Sequence, residues 1–154
     1  MAELLGKTPA ERLAVILFAA VTLALLAALP AWRMSDAPAF AEETPESFAA
    51  RVEAFTAGQE VVTPPPGDVP LLAERFRFRP ALRLKAGQTY RLHLSSIDGV
   101  HSLAIDGREV LLVPGQVRVL TITPEAPGML DIRCNEYCGL GHNKMRGTIE
   151  VVGE

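Results

Sequence analysis

The segment 134–145, CNEYCGLGHNKM, concentrates side chains that bind metal ions or act as nucleophiles. Cys134 and Cys138 are the two cysteines of the chain, and His142 and Met145 follow within seven residues of the second one. Thiols, an imidazole and a thioether at such close spacing are compatible with four kinds of site: a disulfide, a zinc site, a thiol enzyme or a copper site. These four differ in how many of the side chains each one uses.

Copper fits the whole set best. A disulfide between the two cysteines would close a very small loop, restrain the unfolded chain little, and leave His142 and Met145 without a role. A zinc ion would accept both thiolates with His142 and the distant His101, but it has no use for a thioether. A catalytic cysteine paired with a histidine is a third alternative, to which the second thiol adds nothing. Soft sulfur ligands together with imidazole are typical of copper.

The position of His101 supports a copper site. Copper electron-transfer sites are commonly built on a β-sandwich that supplies one histidine from the end of an early strand and the other ligands from a late loop. A predicted strand ends at Ile97, and His101 follows it in the sequence DGVHS. A mononuclear copper site needs only one cysteine, whereas two thiolates can bridge two coppers. The two cysteines therefore favour a dinuclear centre whose unpaired electron is shared by both metals.

Alternation of apolar and polar residues predicts the elements that position these side chains. Strands are predicted at residues 74–79, 81–85, 90–97, 102–105, 116–123, 128–134 and 146–152. Several short strands separated by turn signals indicate an all-β sandwich. Arg75, Arg77 and Arg79 are predicted to form a solvated stripe on the first strand, with contact to anionic lipid or a partner subunit as the alternative. His93 is predicted to be a surface residue rather than a ligand.

Two helices are predicted before the strands. Residues 13–32 carry no charge and at about 1.5 Å per residue span roughly 30 Å, the thickness of a bilayer's hydrocarbon core. A cleaved signal peptide is the alternative, but the apolar run is longer than a usual signal core, so an uncleaved membrane helix over residues 13–33 is predicted. The sequence Thr44-Pro-Glu-Ser has the form of a helix start and predicts a short amphipathic helix over about 45–57. This helix most simply packs on its own domain, with a membrane surface or a partner as alternatives.

The charge distribution suggests an orientation and excludes one class of partner. Lys7 and Arg12 give a weak positive-inside signal at the N-terminus, which places the part after the membrane helix on the periplasmic or extracellular side. That part, residues 34–154, carries 12 Lys and Arg against 16 Asp and Glu. Its acidity argues against nucleic acid and is compatible with attraction of a basic soluble partner.

Three motifs carry a resemblance to a known family. The sequences SIDGVHS, VPGQ and PGMLDIRCNEYCGLGHNKMRGTIEVV resemble the dinuclear copper (CuA) domain of cytochrome c oxidase subunit II over about residues 70–154. The pattern C-x-E-x-C-x3-H-x2-M with an upstream D-x-x-H-S is highly specific. The resemblance implies a cupredoxin-like β-sandwich behind one N-terminal transmembrane helix. Its single anchor resembles the short subunit II of the B-type heme–copper oxidases.

The same resemblance implies a ligand set. Cys134 and Cys138 would bridge both coppers, His101 would complete one of them together with Met145, and the other would take the remaining two ligands. Those two are the imidazole of His142 and the backbone carbonyl of Glu136. In many family members the side chain of the motif glutamate also reaches a magnesium ion at the boundary with the catalytic subunit. Gly139 and Gly141 are expected to let the ligand loop turn tightly.

The implied function is electron entry into a terminal oxidase. Electrons would come from cytochrome c or a small copper protein and pass to heme in a separate catalytic subunit I, where oxygen is reduced; this chain itself would hold no oxygen-reducing site. The alternatives are a free-standing, membrane-anchored copper electron-transfer protein and the CuA subunit of a nitric oxide reductase. The expected organisation is an N-terminal cytoplasmic segment 1–12, a transmembrane helix 13–33, a linker 34–69 and a CuA domain 70–154.

Overall fold

The structure, a computed structural model, describes residues 8–34 and 40–153. The start of the predicted N-terminal segment 1–12 and the first part of the predicted linker 34–69 therefore lie outside the described residues. Residues 38–154 form one compact unit, and the residues before them form another. The division of the chain at residues 12, 33 and 69 stays a prediction.

Helix α1, Pro9–Met34, is the N-terminal apolar element. Its stretch Pro9–Ala27 has a mean hydropathy of 2.0 and is not buried within the protein. By length and composition the helix can cross a membrane. The structure thus confirms one N-terminal apolar helix as a candidate membrane span.

The second unit is built from eleven strands among the described residues. Their bounds are β1 Phe40–Glu42, β2 Val61–Val62, β3 Gly67–Glu74, β4 Arg77–Arg79, β5 Ala81–Lys85, β6 Tyr90–Ser96, β7 His101–Ile105, β8 Arg108–Leu112, β9 Gln116–Ile122, β10 Gly128–Arg133 and β11 Arg146–Val152. They form a five-stranded sheet in the order β1-β9-β6-β3-β4 and a six-stranded sheet in the order β2-β5-β11-β10-β7-β8. The predicted all-β sandwich is confirmed.

Strict alternation places the core between the two sheets. In β6, Tyr90, Leu92 and Leu94 are fully buried, whereas Arg91 is exposed and His93 is half-buried. The alternation in β5 works in the same way, since every second residue is buried. These side chains belong to one hydrophobic cluster that also contains both cysteines and Met145. The candidate ligands are therefore packed as part of the core of the sandwich.

Helix α2, Pro45–Thr56, closes one side of the unit. It begins as predicted: the Thr44 side chain accepts a hydrogen bond from the Ser47 amide, and proline occupies the first turn. Its buried Phe48 and Val52 pack in a second cluster with Leu72 and Val117 of the sandwich. The expectation that this helix packs on its own domain is thus confirmed.

The structure corrects two strand predictions. Residues 74–79 do not form one strand; β3 ends at Glu74, Arg75 and Phe76 turn the chain, and β4 returns antiparallel with Glu74 opposite Arg77. The alternation in this segment therefore belongs to a hairpin rather than to an extended run. The prediction also lacked β1, β2, most of β3, and β8. Strand β8 pairs antiparallel with β7 after a two-residue turn.

The register of the six-stranded sheet determines where the candidate ligands meet. Strand β10 pairs antiparallel with β7, so that Arg133 lies opposite Ala104. It also pairs antiparallel with β11, so that Arg133 lies opposite Arg146. Residues 134–145 therefore leave the sheet beside the start of β7, where His101 stands.

Candidate metal centre

The loop 134–145 is closed at its base by the backbone. The Cys134 amide donates a hydrogen bond to the Met145 carbonyl over 3.1 Å, which extends the pairing of β10 with β11 by one step. Within the loop, the His142 amide donates to the Gly139 carbonyl at 3.0 Å, and a short 3-10 turn follows at His142–Lys144. The loop thus has its own backbone hydrogen bonds, which close its base at Cys134 and Met145 and connect His142 to Gly139, the residue after Cys138.

The structure brings the predicted ligand side chains together. The two cysteine Sγ atoms are 4.0 Å apart, and Cys134 Sγ lies 3.9 Å from His101 Nδ1. Cys138 Sγ lies 3.7 Å from both His142 Nδ1 and Met145 Sδ. Among the described residues, the donor atoms of His101 and the two cysteines all lie within 4.8 Å of one another.

The carbonyl of Glu136 belongs to the same group of atoms. Its oxygen lies 3.1 Å from Cys134 Sγ, while the residue as a whole is exposed. All six residues proposed from the sequence therefore have a donor atom in or beside one small space. His93, by contrast, lies apart from them and contacts the Asp68 carboxylate at 2.8 Å, as expected for a surface residue.

The donor set distinguishes between the four kinds of site. Both cysteines are free thiols, and their separation of 4.0 Å is about twice the length of a disulfide bond. A distance of that size is still shorter than two metal–thiolate bonds of about 2.3 Å each, so one ion can bond both sulfurs at once. The thioether of Met145 lies inside the group, where zinc has no use for it. The residues present fit copper.

Asp98 orients the imidazole of His101. Its Oδ1 atom lies 2.8 Å from His101 Nε2, which leaves Nδ1 directed at Cys134. A carboxylate on the far nitrogen of a ligating histidine fixes the ring and its tautomer. Burial acts to raise the pKa of Asp98, but the hydrogen bonds from His101 and from the Arg75 amide outweigh it and lower the pKa below its usual value. The carboxylate is therefore ionised at neutral pH and accepts a hydrogen bond from the His101 Nε2–H group.

The residue after His101 holds the cysteine loop. The Ser102 amide donates to Cys134 Sγ at 3.4 Å, and the Ser102 hydroxyl accepts a hydrogen bond from the Asn135 amide at 2.9 Å. Ser102 is 1% exposed, so both bonds are shielded from water. Strand β7 thus provides His101 and at the same time fastens the loop beside it.

The inner side of the candidate site is buried, and its outer side is exposed to solvent. His101 and Met145 are fully buried, and the two cysteines are 6% and 7% exposed. Burial, followed by the neighbouring Cys134 thiol, raises the pKa of Cys138 to about 11, so this thiol is protonated at neutral pH until a metal displaces the proton. On the outer side, Tyr137 is 70% and Leu140 98% exposed, and the Tyr137 ring lies 5.9 Å from the ring of His142.

Three residues that contact the site were not assigned a role from the sequence. The role of Asp98 could have been inferred, because a carboxylate three residues before a histidine is well placed to contact it. Arg75 donates from Nε to the Cys138 carbonyl at 3.1 Å, and Phe76 packs against Gly139 and Gly141. Both lie nearly sixty residues before the loop begins, and no local sequence pattern indicates their contacts with it.

The fold defines a class of protein. The chain aligns over 74% of its length with the copper protein rusticyanin, covering 98% of that chain with a TM-score of 0.54 at 18% identity. It aligns over 89% of its length with a chain of a heme–copper terminal oxidase dimer, covering 99% of that chain with a TM-score of 0.57 at 23% identity. At these identities the two likenesses show the fold alone. That fold is a cupredoxin-like sandwich.

Sequence similarity narrows the class. The chain is 36% identical over 84 residues to cytochrome c oxidase subunit 2 of Thermus thermophilus, a match that covers 53% of this chain. The match covers 62% of one curated Thermus sequence and 50% of another, so it spans between half and three fifths of these relatives. No protein-family model matches the chain. Over these 84 residues the chain is homologous to cytochrome c oxidase subunit 2, and the described sandwich is cupredoxin-like.

Proposed function

We propose that this chain is the electron-entry subunit of a heme–copper terminal oxidase and that its cysteine loop, with His101, holds a dinuclear copper centre. One observation carries the proposal: two free, buried thiols 4.0 Å apart share one space with two imidazoles, a thioether and a carbonyl oxygen. A single-copper site would leave one of the thiols without a function. The homology to cytochrome c oxidase subunit 2 supports the same conclusion.

The ligand roles follow the resemblance to that subunit. Cys134 and Cys138 would each hold both ions. His101 and Met145 would complete the ligands of one ion, and His142 with the Glu136 carbonyl would complete those of the other. When bound there, the two coppers supply a one-electron redox couple.

The protein's own contribution is positional. The full burial of His101 and Met145 excludes water from the inner side, and Asp98 keeps the imidazole in the orientation that presents Nδ1. The Ser102 amide donates to Cys134 Sγ and so fixes the position of that sulfur beside strand β7. These groups stay in place whichever redox state the centre adopts.

The exposed side of the loop is suited to a transient electron donor. Leu140 and Tyr137 project from the loop, and Val100 beside His101 is 42% exposed. An apolar surface of this kind marks an interaction site, and it lies next to the His142 ring that Tyr137 contacts. The donor is a cytochrome c or a small copper protein, and the acceptor is heme in the membrane-embedded subunit I.

The remaining parts of the proposal concern the membrane. Helix α1 anchors the chain with a single pass, and the weak positive charge of its N-terminal flank puts the copper domain on the periplasmic or extracellular side. Because Glu136 is exposed, its carboxylate is accessible to a magnesium ion at the boundary with subunit I.

Electron paramagnetic resonance tests the centre directly. The full-length chain, purified in detergent and loaded with copper, is expected to give a seven-line hyperfine pattern, since one unpaired electron is shared by two copper nuclei. A four-line pattern would refute the dinuclear centre and leave a mononuclear copper protein. The variant C138S, which removes one bridging thiol, is expected to convert the seven-line pattern to a four-line one.

A second experiment separates the oxidase from its alternatives. A tagged copy of the chain is expected to co-purify from its native membrane with a heme-bearing subunit that consumes oxygen. Purification without heme would favour a free-standing copper carrier. Co-purification with a heme protein that reduces nitric oxide and not oxygen would favour a nitric oxide reductase.

A further inference from the structure

Arg75 contacts both halves of the candidate metal centre. It lies in the two-residue turn between β3 and β4, and its side-chain Nε donates to the Cys138 carbonyl at 3.1 Å. Its backbone amide donates to Asp98 Oδ2 at 2.8 Å, while the other oxygen of that carboxylate holds His101. One residue therefore connects the cysteine loop to the loop between β6 and β7, which contains Asp98 and leads to His101, although Arg75 is 63 residues away from Cys138 in sequence.

Arg75 is an exposed residue, but its guanidinium lies against the protein backbone. A Cβ atom at Gly99 would come within 3.3 Å of the Arg75 guanidinium, so the guanidinium lies close over the backbone before His101. The next residue, Phe76, packs its ring against Gly139 and Gly141 of the metal loop. The β3–β4 turn thus covers the outer part of the loop with a polar contact and an adjacent apolar one.

The other two arginines of the stripe have different partners. Arg77 pairs with Glu74 and its side chain is 69% exposed, and Arg79 pairs with Glu53 and Glu74. Among the ion pairs of the described residues, Arg75 takes part in none. Its guanidinium lies beside the carbonyl of a proposed bridging cysteine, and its charge also helps to lower the pKa of the Asp98 carboxyl group.

We propose that Arg75 is a positioning residue that connects the cysteine loop to the β6–β7 loop before His101. We propose also that its charge raises the reduction potential of the metal centre. The second part rests on the proposed function, whereas the first concerns the protein alone. Oxidation leaves the centre with one more positive charge, and a fixed cation nearby disfavours the oxidised state. Removing the cation therefore stabilises the oxidised state and lowers the potential.

Three variants of the full-length chain in detergent test the proposal. R75Q removes the charge together with the planar guanidinium group. R75K keeps the charge but loses the geometry of the Nε contact. R77Q is the matched control, because it removes one charge two residues away on the same hairpin without touching the metal loop. All three leave the backbone bond to Asp98 intact.

The first measurement is the reduction potential of the copper-loaded chain. In R75Q the ratio of oxidised to reduced centre at a fixed potential is expected to rise by about tenfold, which corresponds to about 59 mV for a one-electron couple. R75K is expected to shift by less, and R77Q is expected to match the wild type. Equal potentials in R75Q and R77Q would overturn the electrostatic role.

The second measurement needs no copper. Amide hydrogen exchange of residues 138–145 in the metal-free chain is expected to accelerate several-fold in R75Q and R75K and to stay unchanged in R77Q. Unchanged exchange in both Arg75 variants would overturn the positioning role. If the wild type lacks the two-copper spectrum, the proposed function fails while the exchange comparison still decides on the contact. If R75Q does not fold, R75K still decides the exchange comparison, and R75M, which also removes the charge, replaces R75Q in the measurement of the potential.

Discussion

Gly141 provides a sharp test of how tightly the metal loop is packed. A Cβ atom added there would lie 2.3 Å from Phe76 Cδ2, 2.5 Å from Cε2 and 2.7 Å from Cγ. These distances involve the whole side of the ring, including its base, so a small rotation cannot relieve them. The backbone at Gly141 has a φ of −97°, which alanine adopts without strain. G141A therefore isolates the steric contact with Phe76 from any backbone effect.

The expected cost follows from this overlap. Inserting a methyl group into a packed region costs about 1–3 kcal/mol. For a domain of this size that lowers the Tm by roughly 3–15 °C. Either the ring leaves its place or the loop moves, and His142 and Met145 move with the loop. We therefore expect G141A to lower both the Tm of the metal-free chain and its affinity for copper, measured by calorimetry and by competition with a copper chelator.

Two further variants make this result interpretable. G153A is the control, because the nearest atom to its added Cβ is 3.9 Å away, and it should change neither quantity. The double variant G141A/F76L replaces the ring with a smaller side chain and should be less destabilised than the sum of its single variants, a coupling that a double-mutant cycle measures. The reasoning is refuted if G141A melts like G153A, or if the two substitutions prove additive.

Four other outcomes are expected. M145L is a nearly volume-conserving change at a fully buried position and should cost less than about 1.5 kcal/mol of stability; it should nonetheless alter the copper resonance spectrum, and an unaltered spectrum would exclude the thioether as a ligand. F48A empties the contact between helix α2 and the sandwich and should lower the free energy of unfolding by about 3–5 kcal/mol, measured with urea, while leaving the spectrum of the folded protein unchanged. L140S changes a side chain that is 98% exposed and should leave the Tm unchanged but slow electron transfer from reduced cytochrome c, so equal rates would show that the donor docks elsewhere. Hydrogen bonds from Arg91 and His93 lower the pKa of Asp68 from 3.8 to about 2, so the stability they give is present above about pH 4 and is lost as the pH falls toward 2. D68N should therefore melt below the wild type at neutral pH, and this difference in Tm should shrink as the pH falls toward 2; a difference that does not depend on pH would contradict the linkage.

The strand predictions succeeded where alternation was local and failed where a turn lay inside it. Residues 81–85 and 146–152 were predicted with the observed bounds, because their apolar residues face a single core. In residues 74–79 the phenylalanines alternate with arginines whether the chain is straight or folded back, so period alone does not reveal the hairpin. Strand β8 had a usable signal: Asp106 and Gly107 both have positive φ values and form the kind of two-residue turn that an Asp-Gly sequence favours.

The candidate metal ligands were predictable because their residue types alone indicate metal binding. Two thiols, a histidine and a methionine in one loop indicate a soft-metal site without any structural information. The side chains that hold these groups have ordinary residue types, and their roles depend on contacts between distant segments. Arg75 is an example, since an arginine on an apparent strand is most simply a solvated residue until the hairpin brings it to Cys138.

The hydrogen bonds around the loop bear on the proposed role in electron transfer. The Cys134 amide is bonded to Met145, the Ser102 amide is directed at the Cys134 sulfur, and the Asp98 carboxylate holds the His101 ring. None of these bonds requires a metal, so the fold itself sets the distances between the sulfur and nitrogen atoms. A centre whose ligands are held in this way changes little in geometry when it gains or loses an electron, because folding has already placed the ligands. A change in the hydrogen bond from the Ser102 amide to the Cys134 sulfur would alter the reduction potential without replacing a ligand. The donor of that bond lies in β7, the strand next to the loop.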